Sequence, residues 1–198
     1  EGAGHTVSII PIADIETTDF SARDLLIVGN LTSTPTAGQA SRIWDSQKTV
    51  LALQNGQKLY GTSTFTLFID DGQSMTTSLA DLQMQTPAAG IPLFASAIWT
   101  TPGTVTNASG VVQVHTSAVS TQAVWWDFDP DYGDPEPPVG SRNYAVDNGS
   151  KDYALLSSEL KNGVRYYNWG FGGDPSTLTV NGATLFKNFV FCIVNKVD

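Results

Sequence analysis

Short apolar blocks, separated by turn residues, run the length of the chain. Val, Ile, Thr, Phe, Tyr and Trp recur in blocks of roughly four to eight residues, the composition that extended strands favour. Residues 64–69 alternate: Phe65, Leu67 and Ile69 fall on one face, Thr64 and Thr66 on the other. A period of two marks a strand with one face buried. Asn-Gly pairs punctuate these blocks, and both residue types accept the positive φ of a type I′ hairpin turn. Asn55-Gly56 follows 49–53, Asn162-Gly163 precedes 164–167, and Asn181-Gly182 stands between 178–180 and 183–186, so each predicts a hairpin. Asp71-Gly72 closes 64–69 in the same way, and Asn148-Gly149 marks a turn in a more polar stretch. Residues 107–110 read as a longer loop ahead of a strand at 111–116.

Residues 189–194, Phe-Val-Phe-Cys-Ile-Val, are apolar on both faces and predict a central strand covered from both sides. Cys192 then packs as a small hydrophobe. Helical signals are confined to one or two turns at 77–83 and another at 157–161, too short to organise a fold. The expected architecture is all-β: an antiparallel β-barrel or β-sandwich of roughly ten to twelve strands, with long surface loops and at most one or two short helical turns. Residues 1–198 read as a single domain, and the Asp-, Pro- and Gly-rich stretch 127–140 as a surface loop rather than a boundary.

Charge narrows the partners. The net charge is −9 and only 10 residues are Lys or Arg, scattered without a basic stripe. Such a chain repels phosphate backbones and anionic membranes, so neither nucleic acid binding nor membrane insertion is expected. With 1 cysteine there is no internal disulfide, which points to assembly in the cytosol or to a core large enough to dispense with staples. A start at Glu1 without Met reads as a processed product or an excised segment.

Catalytic signatures are missing. His5 and His115 are the 2 histidines, with no HExxH and no Cys or His cluster, so no metal site is expected. Asp127, Asp129 and Asp131 alternate like the start of an EF-hand loop, but Tyr132 takes the place of the turn Gly and Pro138 that of the closing Glu. There is no G-x-S-x-G elbow, and Gly170-Phe171-Gly172-Gly173 lacks the Lys of a P-loop. No pair among the acids is singled out as a glycosidase pair. No catalytic residue and no cofactor are therefore expected. Asn30, Asn107 and Asn148 each begin an N-x-S/T sequon, a weak sign of secretion. Two aromatic clusters remain, Trp125-Trp126 and Tyr166-Tyr167, in each of which one ring faces the core and the other faces outward on a strand. Trp126, Asp127, Asp129, Asp131 and Tyr132 form the candidate ligand- or receptor-binding set, because loops on a rigid scaffold carry recognition.

In texture the chain resembles the protruding, or spike, domain of a small non-enveloped RNA virus capsid protein, most of all an astrovirus spike. The resemblance rests on Thr/Ser/Gly-rich blocks, Asn-Gly pairs, Ile98-Trp99-Thr100, Val124-Trp125-Trp126 and the apolar run 189–194. It implies a homodimeric β-barrel on the virion surface, assembled in the host cytoplasm. Such a spike attaches to a host-cell receptor, protein or glycan, and carries the epitopes of neutralising antibodies. A secreted carbohydrate-binding module or lectin is the alternative, and a β-sandwich glycoside hydrolase the third reading.

Overall fold

The computed structural model describes residues 6–29, 31–69, 74–84, 97–106, 110–126 and 137–197. Its centre is a nine-stranded sheet of mixed direction, numbered here in chain order. β1 (Leu25–Gly29) and β2 (Thr49–Leu53) pair parallel, joined through helix α1 (Ala37–Asp45). β9 (Val164–Trp169) lies parallel on the other side of β2. The sheet then continues antiparallel through β8 (Tyr153–Lys161), β7 (Arg142–Val146), β4 (Asp81–Met84) and β5 (Val111–Gln113). β6 (Val119–Trp125) takes up the edge of β8 where β9 leaves it, and β3 (Ser74–Leu79) pairs with β6. A long helix, α2 (Val180–Val194), ends the fold.

Local chemistry sets several of these boundaries. Thr36 caps α1 in a reciprocal box: its hydroxyl accepts the Gln39 N–H at 3.2 Å, and its own N–H donates to the Gln39 side chain at 2.9 Å. Thr179 caps α2 by accepting the Gly182 N–H at 2.9 Å. Asn162 and Gly163, with φ of 52° and 79°, turn β8 into β9 in the hairpin their sequence predicts.

Both faces of the sheet are covered. Leu185, Phe189, Cys192 and Ile193 of α2 pack with Leu51, Leu156, Tyr167 and Trp169 in one core. On the opposite face Ala40 and Ile43 of α1, with Tyr60 and Phe65, pack on Val50, Ala52, Ala154 and Tyr166. The segment after β2 is pinned there by Glu159, whose carboxylate accepts the N–H groups of Phe68 at 2.6 Å and Ile69 at 3.3 Å. Tyr166 and Tyr167 do face opposite sides, but both are buried, because packed side chains cover the strand on both faces there.

The all-β expectation is therefore overturned. The sheet is mixed, with parallel strands at one end and helices on its faces, and it is neither an antiparallel barrel nor a sandwich. Residues 189–194 are helical, with Leu185, Phe189, Cys192 and Ile193 spaced to share one helix face. Asn181-Gly182 lies in the first turn of that helix and Asn55-Gly56 in a 3-10 turn, Gln54–Leu59, so neither makes a hairpin. Residues 77–83 and 157–161, expected as helical turns, lie in β3, β4 and β8 apart from Ala80. Residues 64–69 are not a strand, although Phe65, Leu67 and Ile69 are buried as their alternation implied. The Asp71-Gly72 turn falls outside the described residues.

Cys192 sits wholly inside the α2 core, where burial pushes its thiol up from 9.0 to about 11. The native protein is expected to resist a disulfide-exchange reagent at pH 8 and to react only on unfolding, which a colorimetric thiol assay in and out of denaturant reads directly. Burial also pushes Tyr166 up to about 12 and raises Tyr60 and Tyr144. Each of these groups holds its proton more tightly folded than unfolded. Their stabilisation is thus complete below pH 9 and declines as pH rises from there towards 12. Urea midpoints measured from pH 8 to 11.5 should fall steadily above pH 9; a flat profile would contradict the burial of these rings.

Candidate functional site

The three parallel strands end in register, with Gly29 opposite Leu53 and Leu53 opposite Trp169. The chain leaves β2 towards the α1 face, through the Gln54–Leu59 turn, and leaves β9 towards the α2 face. Connections that depart to opposite faces mark the carboxyl ends of two neighbouring strands as the place where open α/β sheets receive ligands.

Gln54 stands at that point. It is the first residue beyond β2 and has φ of 42°, a left-handed conformation that costs a non-glycine residue on the order of 1 kcal/mol. Gly56 allows the rest of the turn, because a Cβ there would overlap the Val28 carbonyl oxygen of β1. The Gln54 amide donates to Ser120 Oγ at 3.0 Å. Its oxygen lies against Gly172, where a Cβ would come within 2.8 Å of it. Gly172 is fixed in turn by its N–H bond to the Ser120 carbonyl at 2.9 Å. A strained strand-to-helix turn presenting one side chain above a central strand is the geometry that α/β hydrolases use for a nucleophile. Here the position carries an amide, which can donate and accept hydrogen bonds but does not attack a carbonyl.

The surrounding titratable groups are spent on structure. His115 lies on the far side of Gly173, 2% exposed, with Nδ1 on the Thr177 hydroxyl at 2.9 Å, and burial lowers its pKa. Asp147 takes up the N–H groups of Gly149, Ser150 and Tyr153, and so holds the 147–153 turn. Among the described residues no group of three or more His, Cys, Asp or Glu side chains could hold a metal ion, and no helix is long and apolar enough to cross a membrane.

Of the residues singled out from sequence, Asp127, Asp129, Asp131 and Tyr132 fall outside the described residues. Trp126 is half-buried, packs edge-on against Phe68 at 5.6 Å, and donates its backbone N–H to the Asp152 carbonyl at 2.7 Å. Its ring belongs to the α1-side core. Sequence reasoning missed Gln54 because Asn55-Gly56 masqueraded as a hairpin turn. The usable signal was the glycine three residues past an apolar run, which also suits a strand that stops under a close backbone contact.

No family model matches the sequence, and no curated protein matches it. Among solved structures, a Thermoplasma acidophilum protein assigned as one subunit of GMP synthase superposes with a TM-score of 0.49 at 10% identity, over 96% of this chain and 81% of that one. At that distance the neighbour's activity does not transfer.

Proposed function

We propose that this domain is a binding module that takes an uncharged, hydroxyl-rich ligand of the carbohydrate class at the carboxyl ends of β2 and β9, without catalysis. The observation that carries the reading is Gln54, held in a strained backbone conformation at the carboxyl ends of β2 and β9, where a catalyst would place a nucleophile. The Gln54 side chain is uncharged and only 8% exposed; Ser120 Oγ holds one amide hydrogen, which leaves the oxygen and the second amide hydrogen for a ligand. A net charge of −9 disfavours anionic ligands and favours a neutral one. The capsid-spike reading is not carried forward, since its support was an all-β texture that the mixed sheet overturns.

Two variants test the reading on a panel of neutral oligosaccharides by glycan array and calorimetry. Gln54→Gly should keep the fold, because glycine accepts the positive φ at no steric cost. It should weaken binding by about tenfold or more, the value of one to two well-placed hydrogen bonds. Gln54→Leu keeps the bulk and should lose binding equally. Undiminished affinity in both, or measurable turnover of a bound sugar by the parent protein, would refute the proposal.

A further inference from the structure

A row of polar side chains crosses the α1-side face of the sheet near the carboxyl ends of β2 and β9. Asn143 of β7 is in register with Ser157 of β8, Ser157 with Asn168 of β9, and Asn168 with Ala52 of β2. Residues paired across strands project from the same face, so the three polar groups form one transverse line. Ser157 and Asn168 are 0% exposed. Asn143 Oδ1, Ser157 Oγ and both amide atoms of Asn168 are buried without a hydrogen-bond partner. Gln57 Oε1 is a fifth such atom. It belongs to the turn after β2, and its amide nitrogen reaches the Gln122 carbonyl of β6 at 3.5 Å.

Buried polar atoms are rarely left unpaired, since each costs about 1–3 kcal/mol. A concentration of them in one row calls for a common occupant that can donate and accept in several directions. Apolar ligands are excluded by the lining, and ions by the lack of any charged group in the row. We infer that this row is an internal hydration site, in which at least one ordered water bridges Asn168 and Ser157 and a chain of such waters extends towards Asn143 and Gln57. Water fits because a buried water takes two to four polar partners, and the row supplies donors and acceptors of both kinds. Gln57 links the row to the Gln54–Leu59 turn, so waters held there brace that turn.

Oxygen-17 relaxation dispersion counts long-lived internal waters in the intact protein. Asn168→Leu with Ser157→Ala removes the central polar partners, Leu keeping the branched shape of Asn, and should lower that count by at least one. An unchanged count in a folded variant would overturn the inference. Should the double variant fail to fold, the parent protein still decides the matter. The Asn168 side-chain amide protons should show a cross-peak to water in a nuclear Overhauser experiment, and their contact with protein protons alone would overturn it. Neither outcome bears on sugar binding by Gln54, which is read separately.

Discussion

Gly56→Ala is expected to destabilise the protein by about 3 kcal/mol or more, the upper range for forcing an atom into packed structure. The added methyl would overlap the Val28 carbonyl oxygen, and that oxygen belongs to the backbone of β1. Backbone cannot swing aside as a flexible side chain can, so either β1 or the Gln54–Leu59 turn must move. Either displacement disturbs the turn that holds Gln54. The matched control is Gly163→Ala, where nothing lies within 4 Å of the new methyl but φ is 79°. There the cost is torsional alone, about 1 kcal/mol. Urea unfolding of the two variants separates steric from torsional demand; equal losses would show that the β1 contact is not what selects glycine at position 56.

The second large effect is expected at Phe189. Its ring is fully buried and meets Tyr144, Tyr167 and Trp169 with centroids 6.0, 5.8 and 6.0 Å away. Phe189→Ala should cost about 3–5 kcal/mol, from lost transfer energy and the cavity left between α2 and the sheet. That is a large share of the roughly 5–15 kcal/mol available to a domain. Near-UV circular dichroism should weaken as the aromatic cluster loosens. Val180→Ala, at a residue 85% exposed on the same helix, should change the urea midpoint by no more than about 0.5 kcal/mol equivalent. A Phe189→Ala midpoint close to that of the parent would mean that α2 does not dock as described.

Both variants bear on what could be read from the chain. Burial was legible where it depended on composition: Cys192 is buried, and Phe65, Leu67 and Ile69 turn inward together. Local turn chemistry was legible where it met no competitor, as at Asn162-Gly163, where two antiparallel strands flank the pair. The same dipeptide failed at 55–56 and 181–182. Asn-Gly specifies permissive backbone and leaves the flanking structure open. At 181–182 the Thr179 cap and the Leu185, Phe189, Cys192 and Ile193 spacing outweighed the turn tendency. That spacing was present in the sequence, but a short run of Phe, Val and Ile suits a buried strand as well as a buried helix, and periodicity alone does not choose between them.

The candidate site was less legible than the core. Gln54 matters for where the strand before it ends and for the direction in which the chain departs, and neither is a property of nearby residues. The amino-acid sequence by itself determined which side chains avoid water, where one hairpin turns, and the acidic surface. Only the tertiary structure decided that β1, β2 and β9 run parallel, that both sheet faces are covered, and that the chain leaves β2 and β9 towards opposite faces. The physical reason is range. Burial and turn preference act within a few residues of chain, whereas parallel pairing joins β9 to a strand far earlier in the sequence, and its favourable energy is realised only once helices have closed over both faces.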